Sequence, residues 1–369
     1  MKLDKIILEI TLYLTGIIFI CSLLYLTIEK VDKLKSHKTQ TTSTFFEETP
    51  NEHPPLGVLN NVISTVIWEF LEKKQVDGQN KELVLYSEIL TRLTINNPDI
   101  STILAWNLAY NISSGIIDYR EKYRWINAGI NLIRSSALPK TPNKPLLYSK
   151  LSWLIQEKLT GTSDPNASKY QRIFAYDMDS ILKGINYDIA NIANIPYSQE
   201  TFEKEFLNNQ KLKELINLKD ITDLKKKIYF KTDTLPPNTK KLIKCWVTRV
   251  RLYDNFKLQP AIMLKIEKKF QKLDWRLPAT HSLYWCYLGL KVSDNKDYHC
   301  LKILTFALQS LFLNGKIILP ATNEQSASIT IPKLSIVDST LNAYDQGYEI
   351  TKNKTFLNGK RNFIKIAII

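Results

Sequence analysis

Glycine is scarce in this chain, 11 of 369 residues. None of it gathers into the Gly-rich turn, ending in Lys-Ser or Lys-Thr, whose amides cradle a phosphate. There is no H-E-x-x-H zinc helix and no G-x-S-x-G elbow, which removes the common zinc-hydrolase and serine-hydrolase designs. Cysteine is equally sparse: Cys21, Cys245, Cys286 and Cys300. The first lies in an apolar N-terminal run, and three others cannot all pair within one chain, so no secreted disulfide framework is written here. Few Gly also means few tight turns, which fits a helical protein.

What is present is apolar and basic. Hydrophobic residues make up 44% of the chain and aromatics 11%, enough for a sizeable core. The formal net charge of +14 is carried mostly by Lys. A Lys surplus beside many Ile and Asn follows from base composition as readily as from a polyanionic partner. It reads as a solvated basic surface, and nucleic acid is not expected as a partner.

The first thirty residues carry the strongest local signal. From Ile10 to Ile28 no side chain is charged, and nineteen helical residues span roughly 28 Å, close to the hydrocarbon thickness of a bilayer. Bulky Ile18-Phe19-Ile20 before Cys21 leaves no small-residue cleavage or lipidation site, so the stretch reads as an uncleaved single transmembrane helix. Lys2 and Lys5 on one side nearly balance Lys30, Lys33, Lys35 and Lys38 on the other. The short basic N-terminus favours an exported C-terminal domain over a cytoplasmic one.

Organisation follows from periodicity and punctuation. Residues 1–30 form the anchor, and the polar, Thr-rich residues 31–55, ending in Pro54-Pro55, a flexible linker. Residues 56–190 show apolar stripes at helical spacing, broken by Asn96-Asn97-Pro98, Pro139 and Pro142. Their period of about forty residues is that of stacked helical hairpins. Residues 191–275 form a charged helical section, 276–315 a further helix pair, and 316–369 an extended segment with a final helix from Phe356. The short β-branched runs after Gly315 (Ile-Ile-Leu-Pro, Ser-Ile-Thr-Ile-Pro) predict an irregular or hairpin segment. The apolar end Ile-Ala-Ile-Ile predicts docking against the array or a partner. The expected fold is all-α: a single N-terminal transmembrane helix, then a tetratricopeptide-like array of antiparallel helix pairs, with a short irregular or β-containing C-terminal segment.

Trp285-Cys286-Tyr287-Leu288-Gly289 reproduces the W-x₂-L-G of the tetratricopeptide repeat, with Cys300 and Ala307 at its small-residue positions. Val292, Leu304 and the missing Pro before Gly315 depart from it. Ala105-Trp106-Asn107-Leu108-Ala109-Tyr110-Asn111-Ile112-Ser113 and Tyr123-Arg124-Trp125-Ile126 carry a second likeness. Leu147-Tyr148, Trp153 and Asp274-Trp275-Arg276 with Pro278, His281 and Tyr284-Trp285 continue it. Over most of residues 56–315 the chain thereby resembles a group of bacterial proteins with an N-terminal anchor ahead of a tetratricopeptide-like helical domain. The resemblance implies that architecture and no activity.

Candidate chemistry is thin. Asn107 and Asn111, four apart on a helix whose spacing otherwise buries Trp106 and Tyr110, predict either amides tying helices together or a peptide-binding ladder in a concave groove, with Tyr123 and Arg124 alongside. Asp274 and Arg276 read first as a structural ion pair. Lys240, Lys241, Lys244, Thr248 and Arg251 share a face of one helix and, with Lys225-Lys226-Lys227, offer a basic patch suited to anionic headgroups or simply to water. Cys286 and Cys300 flank a turn near Ser293-Asp294 at distances that let them meet; ordinary core thiols are favoured over metal or redox chemistry. Asp177 and Asp179 fall on different sides of a helix and read as solvated. No metal or cofactor is expected. The leading expectation is a membrane-anchored helical-repeat scaffold that binds a protein or peptide without catalysis. The alternatives are an enzyme with a polar pocket at Asn107, Asn111, Asp274, Arg276 and His281, and a structural envelope component. Oligomeric state has no signature in the sequence.

Overall fold

The computed structural model describes residues 83–93, 97–161, 164–206, 237–320 and 328–368, together with Glu69. The expected transmembrane helix, the linker at 31–55 and Lys225-Lys226-Lys227 lie outside the described residues. Among those described, no helix is long and apolar enough to cross a membrane. The chain is mostly helical, as expected, and Phe70–Ile369 forms one compact unit.

Proline starts many of its helices, because a fixed φ and a missing N–H suit the first turn. Thus α2 (Pro98–Trp106), α4 (Pro145–Thr160), α8 (Pro260–Phe270) and α9 (Pro278–Val292) all open on Pro. Aspartate does the same work at α3 (Tyr119–Asn131) and α10 (Tyr298–Asn314). There Asp118 accepts from the Glu121 amide at 2.8 Å and Asp297 from the Cys300 amide at 2.7 Å. The remaining α-helices before the hairpin among the described residues are α1 (Leu83–Leu93), α5 (Ala167–Leu182), α6 (Gln199–Phe206) and α7 (Pro237–Phe256).

Two of these helices do not end as α-helices. α2 runs into a π-helical segment at Asn107–Ile112, and α3 into another at Leu132–Ala137. The sequence predicts continuous helices there; a π turn inserts residues without changing composition, so periodicity does not reveal it. The two helices approach closely at Gly129. A Cβ at that position would lie 2.4 Å from the Ala105 carbonyl oxygen and 3.0 Å from the Ala109 methyl.

The core is centred on α9. Eleven of its 15 residues are buried, so it needs cover on all sides rather than along one stripe. Its main neighbours are α4 and α10. Ser282 Oγ donates to the Ser152 carbonyl at 3.0 Å, joining residues 130 apart in sequence. At Gly289 a Cβ would meet Cys300 Sγ at 2.5 Å and Tyr148 Cβ at 2.8 Å, so three helices converge where only hydrogen fits. The small residue of the Trp285–Gly289 motif is therefore needed. Yet its contact reaches α4, far back in sequence, whereas stacked repeats contact their neighbours. The stretches 56–190 and 276–315, separate in the sequence pattern, share this core.

After α10 the chain forms a two-stranded antiparallel hairpin, β1 (Lys316–Ile318) with β2 (Ile329–Ile331), in the register Ile317 to Thr330. The expected extended segment then proves shorter than predicted. α11 (Val337–Thr351) and α12 (Lys354–Ile368) follow. Ser-Ile-Val at its start and Gly347 within it disguise α11 in the sequence. The stripe Thr340, Ala343, Tyr344 and Gly347 is nevertheless helical in spacing and buried. Tyr344 donates to Gln309 Oε1 of α10 at 3.0 Å. α12 docks through Phe356 and Phe363, while Ile364, Ile366 and Ile368 are exposed. Of the two expected covers for the apolar end, the array thus leaves Ile366 and Ile368 exposed.

Candidate functional site

Two openings stand out, and they are lined by different helices. The first is a groove of about 540 Å³ between α2, α4 and α10. Its wall carries Ile103, Trp106 and Phe306, which are 50%, 43% and 44% exposed. Trp106 stacks on Tyr110 at 5.5 Å between ring centroids, and Tyr110 on Trp153 at 5.4 Å. The buried Lys158 places its ammonium 3.5 Å from the centre of the Tyr110 ring, a cation–π contact beneath the stack. Burial lowers the Lys158 pKa, and the nearby Asp164, paired with Lys122 at 3.1 Å, pulls it back up. Lys150, His299 and Lys302 border the groove. The sequence predicts Trp106 as a buried residue; its exposure at the junction with the π segment corrects that expectation.

The second opening, of about 570 Å³, lies where α1, α3, α5 and α7 meet. Its wall is mostly polar and includes the buried Arg134, 2% exposed. Arg134 sits in the second π segment, where Leu132, Ile133 and Ala137 are buried with it. Its Nη2 donates to Asn131 Oδ1 at 2.5 Å, and its guanidinium lies 5.2 Å over the Phe256 ring. Nε has no partner, and no carboxylate pairs with this arginine among the described residues. Burial pushes its pKa down to about 10, with Tyr123 as a small offset. Burial, helped by Asp177, raises the Tyr123 pKa and keeps that hydroxyl protonated.

The residues singled out in the sequence are not gathered in one place. Asn111 Nδ2 donates to Asn107 Oδ1 at 2.8 Å along the surface of the first π segment, so the two amides are joined across one turn. Tyr123 is buried in the wall of the polar pocket, while Arg124 is exposed and pairs with Glu121 at 2.9 Å. Lys241 and Lys244 are exposed and Lys240 half-buried. Arg251 leaves that patch: it donates through Nη1 to the Ser180 carbonyl and through Nη2 to Ser180 Oγ, each at 3.0 Å. Thr248 is buried and donates to the Ile181 carbonyl at 3.2 Å. Thr248 and Arg251 thus tie the C-terminal part of this face to α5.

Asp274 and Arg276 form a two-pronged ion pair, Nε to Oδ1 at 3.0 Å and Nη2 to Oδ2 at 2.9 Å. Arg276 also pairs with Asp179 at 3.1 Å and donates to the Ile317 carbonyl at 2.7 Å, while Asp274 accepts from the Ile317 amide at 3.1 Å. The pair thus latches the hairpin to α5, and Asp179 is a partner in it rather than a solvated acid. His281 is fully buried among Phe174, Phe256 and Trp275. One ring nitrogen, Nε2, lies 2.9 Å from the Trp275 carbonyl and donates to it. Desolvation, assisted by the charge of Arg134, pushes its pKa down to about 3. None of the five residues of the enzyme reading lines either opening. Cys286 and Cys300 do meet, both buried and unoxidised, and the hydrogen bond between them raises the Cys300 pKa. Among the described residues no group of three or more His, Cys, Asp or Glu side chains stands ready for a metal ion.

The polar pocket is what sequence reasoning missed. One signal was there: Arg134 is the only charged residue between Ile126 and Leu138, a cation inside an apolar helical run. Its companions on α1, α5 and α7 are too distant in sequence to be associated with it. No protein family, curated protein or solved structure matches the chain.

Proposed function

We propose that this protein is a membrane-anchored helical scaffold, built on tetratricopeptide-like helix pairs, which binds a protein or peptide partner and performs no catalysis on it. The observation that carries the reading is the exposed aromatic wall of the groove, Trp106 and Phe306 beside Ile103. Exposed Trp and Phe in a concave site are what anchors of a partner require. Lys150 and Lys302 at the rim give the occupant its chemistry. It is a peptide segment with a bulky apolar anchor flanked by Asp or Glu, the anchor seated on Trp106 and the acids on the rim. The uncharged run from Ile10 to Ile28 supports placement at a membrane surface.

The test is a tryptophan-fluorescence titration of the full-length protein with synthetic peptides of about ten residues, carrying Leu or Phe between acidic flanks. Such sizes suit a single groove. The acidic peptide is expected to bind and its Lys-flanked counterpart to bind far more weakly. Trp106→Ala and Phe306→Ala should each weaken binding while leaving helicity intact. Equal binding of both peptides, or indifference to both substitutions, sinks the reading.

A further inference from the structure

We propose that the pocket bounded by α1, α3, α5 and α7 is a second binding site, for a small zwitterion such as a free amino acid or short peptide. The ligand's carboxylate pairs with Arg134 and its ammonium lies against Glu88 and Asp177. The argument starts from an unmet need. A guanidinium removed from water is stable only when its charge and donors are answered, and arginine answers best to a carboxylate gripped by two parallel N–H groups. Arg134 has one amide oxygen, an aromatic face and an empty Nε. It nevertheless lines an opening of about 570 Å³, inside the ordinary range of small-molecule sites.

The rest of the wall selects among anions. Glu88, Asp177 and Asp254 face the same space. Asp254 accepts from Tyr197 at 2.7 Å, and Arg251 is occupied by Ser180. A phosphate, with its greater negative charge, would be repelled by three carboxylates. A single carboxylate carrying a cationic group a few ångströms away answers Arg134 and is drawn, not repelled, by the field of the acids. The π segment that holds Arg134 supports the assignment, because such segments recur where a side chain must be turned to a ligand. This site shares no lining residue with the aromatic groove, so it stands or falls separately from peptide capture.

Isothermal titration calorimetry of the full-length protein tests it, with L-glutamine, L-serine and Gly-Gly as zwitterions and acetate, methylammonium and inorganic phosphate as controls. At least one zwitterion should bind, at least about tenfold tighter than acetate, since both ends contribute. Glutamine against Gly-Gly separates a free amino acid from a peptide. Arg134→Met should weaken that binding about tenfold or more, the loss of a charge-assisted contact. Asp177→Asn, at an exposed position of α5, should weaken it about threefold. Thermal melting supplies the control for folding: without ligand, Arg134→Met should melt at or above the wild-type temperature, because it removes an unanswered buried charge. Phosphate binding as tightly as the zwitterions overturns the proposal. So does the absence of heat from every probe, or unchanged binding by Arg134→Met. A sharp fall in melting temperature for both Arg134→Met and Arg134→Lys would make the guanidinium a structural brace and overturn it as well.

Discussion

The groove and the polar pocket are nearly equal in volume, about 540 and 570 Å³, yet they are built on opposite chemistry. One exposes apolar rings and keeps its cations at the rim and beneath the stack; the other buries a cation and surrounds it with amides, hydroxyls and acids. Both begin where a helix turns from α to π, at Trp106–Asn107 and at Asn131–Leu132. One local device thus serves two ends. In the first it leaves an aromatic residue in water; in the second it draws a charged residue out of it. The lesson is that local backbone geometry opens a site, and side-chain chemistry decides what enters.

The comparison can be broken most severely at the joint between the two. Gly129→Ala places a Cβ 2.4 Å from the Ala105 carbonyl, forcing apart the helices that bear Trp106 and Arg134. Urea unfolding should show a loss of about 3 kcal/mol, the upper range for overpacking, and both openings should lose their ligands. A smaller effect would mean that α2 and α3 are not mechanically linked.

Next comes the histidine behind the pocket. His281 has its pKa lowered to about 3 in the fold, from about 6.5 unfolded. Between those values the unfolded chain binds the proton and the folded one does not. Stability should therefore fall as pH drops from about 6.5 towards 3, by about 1.4 kcal/mol per unit from this group. His281→Leu should abolish that part of the slope. Because His281 touches Phe256, hydrogen exchange at low pH should loosen the Arg134 side before the Trp106 side.

Trp106→Ala sharpens the comparison from the other direction. It should weaken peptide binding by about 2 kcal/mol, as for an aromatic anchor, and leave zwitterion binding alone. Arg134→Met should do the reverse, leaving peptide binding unchanged and stabilising the unliganded protein by about 1 kcal/mol. Asn111→Ala should change stability by no more than about 0.5 kcal/mol, since its amide is exposed and bonded to Asn107. A large effect there would favour the reading of these amides as braces between helices.

Much of the helical frame was legible. The break at Asn96-Asn97-Pro98 does fall between α1 and α2, and Asp297 caps the helix that follows the turn predicted near Ser293. The meeting of Cys286 with Cys300 was readable from their equal distances to that turn. The openings were not. Each draws on helices separated by a hundred residues or more, which periodicity cannot relate. The π segments that orient Trp106 and Arg134 leave no compositional trace. Asp274 and Arg276 announced an ion pair, but its purpose, holding Ile317 and Asp179, needed the hairpin's position. Helix α11 was hidden by local β propensity that tertiary packing overrides.

The union of α4 with α9 has a consequence for how the chain is made. Ser152 and Ser282, which touch, are 130 residues apart. At roughly 5–20 residues per second the ribosome takes about 7–26 s to deliver the second after the first. During that interval the apolar flank of α4 has no native cover, and the loop to be closed is long, so folding is set by a distant contact rather than by local helix formation. The protein is thus exposed to aggregation at a definite stage of its synthesis, and its nascent N-terminal half is where a chaperone would act.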